Sequence, residues 1–229
     1  RAAAESLRWQ VGISPGCRQA VATDAELFTG NECLEIASGK PRWTLETYRL
    51  RDCSVALSGE RVVVTGVTTT GTSTRQVVLV IERETGKLVW EKVLAEVHPL
   101  DEVLTAPPAV ARGAVFVGSA DGVFRALALA DGVEAWQFKT GGSVIPLSAG
   151  PDRTGGRISS GAVVSDRTVF FGAADGGIYA LERRRGTLTW HYNVGLPVLA
   201  SLALSGNTLY VADWAGNLYT FVSLVEEKK

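Results

Sequence analysis

The segment GGIYALERRRGTLTW, Gly176–Trp190, runs an apolar strand-like stretch into a polar turn and places a tryptophan four residues after the last glycine. The same spacing joins Gly39 to Trp43, Gly86 to Trp90, Gly132 to Trp136 and Gly186 to Trp190. A spacing that returns once per unit marks the chain as an array, in which each unit buries its apolar faces against its neighbours.

Working outward, every glycine–tryptophan pair follows two apolar runs separated by a polar turn. The first runs read ELFTG, RVVVTG, AVFVG, TVFFG and TLYVA; the second read ECLEIASG, VVLVIERETG, VFRALALADG, GIYALERRRG and NLYTFVSL. Short stretches rich in Val, Phe and Tyr, punctuated by Gly and Asp, predict an all-β protein. DAELFTGNECLEI and SLVEEKK come nearest to a helical pattern, and the first fits the repeat better. Anchored on the end of the central run, five units align without a gap from Cys17, Cys53, Thr105, Ser159 and Leu199. A unit holds four strands, A to D, with the tryptophan on D, and averages roughly 46 residues, the size of a propeller blade.

The ends complete the pattern. The last unit has strands A, B and C without a D strand, while LRWQVG at the start reads as a D strand with Trp9 and nothing before it. The expectation is a five-bladed β-propeller of four-stranded blades, closed by the N-terminal strand completing the last blade. It forms one domain over 1–229, with blades at 13–46, 47–94, 95–140, 141–194 and 195–225 plus 1–12. In each C–D turn the glycine allows the tight bend, and the tryptophan lies flat against the neighbouring blade. Trp9, Trp43, Trp90, Trp136 and Trp190, with Gly39, Gly86, Gly132 and Gly186, are therefore read as structural.

Composition narrows the function. A net charge of −1 over 229 residues argues against a nucleic acid or an anionic membrane held by bulk electrostatics. No apolar run is long enough to span a bilayer. The three cysteines, Cys17, Cys33 and Cys53, lack any C-x-x-C pair, and with two histidines a His-based metal site is not expected. The chain begins at Arg1 and lacks methionine, so a signal peptide or an upstream domain is expected to have preceded it.

GVFRALALADGVEAWQFKTGG and GGIYALERRRGTLTWHYNVG resemble the pyrroloquinoline-quinone-like β-propeller repeat, with its Tyr-Ala-Leu, Thr-Gly and Trp positions. The glycine–tryptophan pairs match that family's tryptophan-docking motif. The resemblance spans essentially the whole chain and is clearest in the third and fourth units. The family's dehydrogenases carry a larger ring and hold the quinone and calcium with an adjacent cysteine pair and acidic and amide ligands. Cys17 and Cys53 are not adjacent and no matching acid cluster occurs, so no cofactor and no quinone-dependent dehydrogenase activity are expected. The resemblance points instead to the non-catalytic branch: extracytoplasmic platforms for proteins or peptides.

Candidate site residues fall on the D–A and B–C connections, expected on one face beside the channel mouth. Thr140–Gly156 is the longest D–A connection, carrying Asp152 and Arg153 and leading to Arg157; Val67–Gln76 reads as an extended B–C tip. Trp214 stands in a B–C turn where other units have Ala120 and Ala174, and Asp213 adjoins it; an exposed tryptophan there would anchor a partner or pack over the rim. Cys17, Cys53, Thr105 and Ser159 share the position that starts the innermost strand and are expected to line the channel, where a small molecule would also fit. Whether Cys17 and Cys53 are bridged is left open by the roughly 7 Å Cα limit. Cys33 is read as a buried structural thiol.

GISPG, Gly12–Gly16, satisfies G-x-S-x-G around Ser14, and His98 and Asp101 lie on the same expected face, so the three are the candidates for a catalytic reading. No helix follows Ser14, and Pro15 adjoins it. Three functions fit the array: a non-catalytic protein- or peptide-binding platform, the ligand-sensing domain of a larger receptor such as a Ser/Thr kinase, and a cofactor-free hydrolase or biosynthetic enzyme at the channel mouth.

Overall fold

The computed structural model describes residues 9–13, 19–98, 104–143 and 156–222, and they form strands and turns without a helix. The first sheet comprises β1 (Val21–Ala22), β2 (Glu26–Phe28), β3 (Glu32–Glu35) and β4 (Pro41–Thr44). The second comprises β5 (Arg51–Ser58), β6 (Arg61–Thr70), β7 (Ser73–Glu82) and β8 (Leu88–Val97). The third holds β9 (Ala109–Ala111), β10 (Ala114–Gly118), β11 (Val123–Ala128) and β12 (Glu134–Lys139). The fourth holds β13 (Val163–Val164), β14 (Thr168–Gly172), β15 (Gly177–Glu182) and β16 (Leu188–Asn193). The fifth holds β17 (Ala203–Ser205), β18 (Thr208–Ala212) and β19 (Leu218–Val222). Each sheet is an antiparallel meander in chain order. These are the five blades of a β-propeller.

Strand alternation sends one set of side chains forward to the next blade and the other back to the preceding one. Phe116, Phe124 and Ala126 of the third blade meet Val169, Phe171 and Leu181 of the fourth in one apolar cluster, where the rings of Phe124 and Phe171 stack at 4.0 Å. Val63, Val78 and Val80 meet Val115, Val117 and Leu127 in the same way between the second and third blades. Phe170 and Ile178 meet Leu209, Val211 and Phe221 between the fourth and fifth.

The repeated tryptophan locks these faces from the rim. Its register is fixed by a bulge at one position in four blades, where the C strand shifts after Cys33, Val80, Ala126 and Ala180, the residues opposite the tryptophans. Such a bulge bends the strand and re-aims a side chain. Three of these rings stand on the glycine of the next blade's C–D turn: Trp43 on Gly86, Trp90 on Gly132 and Trp136 on Gly186. The indole N–H donates to a carbonyl of that turn, at 2.8 Å to Arg83, 2.9 Å to Leu129 and 3.0 Å to Arg183. The glycines have φ of +70°, +71°, +74° and +69°, a backbone that a side chain disfavours. A Cβ on Gly186 would stand 2.5 Å from the Trp136 ring.

Polar straps join neighbouring blades. Buried Gln76 accepts from the Ala120 N–H at 2.8 Å and donates to the Gly118 carbonyl, and Asn31 donates to the Leu50 carbonyl at 2.9 Å. At the outside, Glu26 binds Arg42 and Arg83 together, with Arg83 5.8 Å over the Phe28 ring.

The extended B–C hairpin tip expected at Val67–Gln76 is a regular ladder, in which β6 and β7 stay paired out to Thr70 and Ser73 around Gly71 and Thr72. Alternating apolar and β-branched residues let the ladder run on, and Val67 and Gln76 are fully buried. At the closure, residues 9–13 are in no strand and the fifth sheet has three strands among the described residues. Trp9 does stand on Gly39, its indole donating to the Ile36 carbonyl at 2.7 Å. That is the contact Trp43 makes on Gly86, so Trp9 takes the place of a D-strand tryptophan of the blade preceding the first.

The tryptophans should therefore differ in weight. Trp136 is 9% exposed and Trp190 36%. Trp136→Ala should destabilise by about 3–5 kcal/mol and Trp190→Ala by about 1 kcal/mol, read from urea unfolding midpoints.

Candidate interaction surface

The β18–β19 hairpin ends in the turn 213–217, which is held from within. Asp213 accepts from the backbone N–H of Ala215 and of Asn217, both at 2.9 Å, from the Asn217 side chain at 2.8 Å and from the Tyr219 hydroxyl at 3.0 Å. The Asn217 side-chain bond leads these in holding the carboxyl below its ordinary value, and the same network raises the Tyr219 phenol. In the fourth blade Asp175 does the same work. It accepts from the N–H of Gly177 and Gly141 at 2.8 and 2.9 Å and from the Tyr179 hydroxyl. Burial first, and then the bond to Asp175, push the Tyr179 phenol well above its usual range.

Asp213 is thus spent on its own turn, and its neighbour Trp214 is what the turn presents. The Trp214 N–H is fixed to the Pro197 carbonyl at 2.8 Å, and its side chain is 64% exposed beside exposed Leu196. The same hairpin carries Tyr210, Leu218 and Val222, all exposed. Behind it stand exposed Trp190 and Tyr192 of the fourth blade, each with its ring centroid 5.2 Å from that of Phe221. This is an apolar surface of aromatic rings and aliphatic side chains on a rigid sheet, the composition that marks interaction sites.

The other expected site residues are distributed differently. Ser14, Cys17, Asp101, Asp152 and Arg153 lie outside the described residues, as does most of the Thr140–Gly156 connection. His98 is exposed just beyond β8. Arg157 is buried rather than presented to solvent, its carbonyl accepting from the Ala174 N–H at 2.9 Å. Cys53 is buried in the apolar cluster between the first two blades, Thr105 donates to the Asp52 carbonyl, and Ser159 is buried. Cys33 and Cys53 are both reduced thiols. Cys33, in the alanine position under Trp43, is pushed up to about 11 by burial and then by Glu26. Among the described residues no three His, Cys, Asp or Glu side chains gather as a metal site, and no helix is long and apolar enough to cross a membrane.

Sequence reasoning singled out Trp214 but missed Tyr192, Tyr210, Leu218 and Val222.

The model of the family described as outer membrane protein assembly factor BamB matches residues 7–197 and 139–224. The chain belongs to this family. BamB from Moraxella catarrhalis is similar in structure, with a TM-score of 0.69 at 20% identity over 95% of this chain and 65% of that one. The computationally designed Ika8 protein is similar at a TM-score of 0.63 and 17% identity, over 89% of this chain and 57% of that one. A quinohemoprotein alcohol dehydrogenase from Comamonas testosteroni gives 0.62 at 15% identity, over 93% and 43%. These likenesses show the fold. The chain spans less than two thirds of the length of each of these three structures. No curated protein matches it significantly.

Within this BamB-type chain the Tyr179–Asp175 pair makes stability depend on alkaline pH. The folded phenol is raised, so its contribution is whole below the unfolded value near 10 and is lost as pH climbs through the folded one. The urea midpoint of the wild type should fall faster above about pH 10 than that of Tyr179→Phe, which lacks the titrating group.

Proposed function

We propose that the chain is a non-catalytic binding platform that engages a protein or peptide through the loop-bearing end of the propeller and the adjoining surface of the fifth blade. The carrying observation is Trp214, a largely exposed indole on a turn locked by Asp213, continuous along one hairpin with Leu218, Tyr210 and Val222. A rigid aromatic anchor loses little conformational entropy when a partner covers it, and hot spots are rich in tryptophan and tyrosine. Family membership supports the reading, because BamB is described as an assembly factor. It also supports an extracytoplasmic location. The near-neutral net charge fits a partner recognised by shape and apolar contact more than by long-range attraction.

Selection of a displayed random-peptide library against the immobilised protein tests this. Peptides enriched on the wild type should lose about tenfold or more in affinity on Trp214→Ala, the usual cost of removing a hot-spot side chain. Enriched peptides that bind Trp214→Ala and Leu218→Asp as tightly as the wild type, or a selection that enriches nothing, would overturn it.

A further inference from the structure

The A–B and C–D turns lie at the opposite end of the propeller from Trp214, and four blades build them on one plan. An N–H at the start of the C–D turn donates to a carbonyl of the A–B turn: Ile36 to Ala25 at 2.9 Å, Arg83 to Glu60 at 3.0 Å, Leu129 to Gly113 at 2.9 Å and Arg183 to Arg167 at 2.8 Å. That bond sets Glu60 and Arg167 at one position, and Glu84 and Arg184, each one residue past the donor, at another. The second blade thus carries GE and ERETG where the fourth carries DR and ERRRG. The backbone is the same, and the charge is reversed.

The turn therefore does not call for the arginines, since the second blade builds it without them. Arg167, Arg184 and Arg185 are exposed. Neighbouring Glu182 is spent on the backbone N–H of Arg184 at 3.1 Å and of Arg185 at 2.8 Å, and Asp166 is bound by Arg112 of the third blade. Among the described residues no carboxylate pairs with the side chains of Arg167, Arg184 or Arg185. Arg112 has a φ of +49° in a tight A–B turn, where the second and fifth blades place Gly59 and Gly206 at +56° and +55°. An arginine disfavours that backbone, and an ion pair exposed on both sides returns little stability.

Blades one and two present Asp24, Glu35, Glu60 and Glu84, all exposed, at the same end. The two sectors offset each other in the net charge and leave a local positive field over blades three and four. A flat anionic membrane would meet both sectors and be repelled by the acidic one, whereas a short acidic segment can meet the basic one alone.

We propose that Arg167, Arg184 and Arg185 form a docking site for an acidic segment of a partner protein, a short run of Asp and Glu side chains. Guanidinium forks take carboxylates in paired hydrogen bonds. Arg112 is a positioning residue, which holds Asp166 so that this carboxylate does not compete for the other arginines. The site goes beyond the Trp214 platform and does not depend on it.

The probe is a fluorescein-labelled peptide of alternating Asp and Glu, with an Asn and Gln peptide as control, followed by fluorescence anisotropy at about 50 and about 300 mM salt. The acidic peptide should bind, more weakly at the higher salt, and the neutral one should not. Arg184→Glu combined with Arg185→Thr writes the second blade's turn into the fourth; it should weaken binding about tenfold or more and leave the urea midpoint in place. Arg112→Gly should weaken binding about threefold with the midpoint unchanged or raised. Trp214→Ala should leave acidic-peptide binding unchanged, which separates this site from the platform. Equal weakening by Lys40→Glu combined with Lys87→Glu, both exposed on blades one and two, would overturn the site and assign binding to overall charge. Failure of the acidic peptide to bind at low salt would overturn it too, and binding of phosphatidylserine–phosphatidylcholine vesicles in its place would assign the patch to lipid.

Discussion

Everything in this fold depends on a flat indole lying against a glycine that holds a left-handed backbone. The glycine can make the C–D turn because it lacks a side chain, and for the same reason it leaves room for the ring of the preceding blade. The indole N–H then satisfies a turn carbonyl that would otherwise face apolar surface. One contact therefore sets the spacing between blades, covers the rim of each interface and occupies a polar group. Substituting either partner disturbs all three, so the pair recurs as a unit while the strands between vary from Val-rich to Phe-rich.

The array was legible because its signal is periodic and local. A glycine and a tryptophan at fixed separation, two alternating runs before them and a polar turn between report the meander of each blade without any knowledge of long-range contacts. The neighbour of each tryptophan was legible too, since Trp136 has nowhere to lie except on the next unit. Closure is less directly encoded, because it depends on the angle accumulated over five interfaces, and no short motif carries that angle. The docking of Trp9 on Gly39, equivalent to that of Trp43 on Gly86, was legible from the repeat spacing alone.

The site shows the same division. Trp214 stood out as a large residue in a turn that elsewhere carries alanine, and it is the most exposed ring of the fifth blade. Asp213 and Arg157 read as binding residues because charge in a turn suggests a partner. Both are spent internally, Asp213 on four donors of its own hairpin and Arg157 in a buried connection between blades. Cys53 was read as channel-lining because its repeat position starts the innermost strand. A small apolar side chain there turns into the interface between blades one and two. Position along the repeat fixed the element correctly, but the direction of a side chain at an irregular strand start depends on local geometry such as the positive φ of Asp52.

Among the described residues, buried apolar clusters set the first and fifth blades against one neighbour each and the second, third and fourth against two. In a linear array held by nearest-neighbour contacts, the unit with a single neighbour opens at the lowest cost and need not wait for the others. Melting and proteolytic trimming should then begin at the two outermost sheets, β1–β4 and β17–β19, and proceed inward. The surface proposed for a partner thereby lies on one of the two least clasped blades. Anything that settles on it would act as a clip, raising the resistance of the whole chain to unravelling.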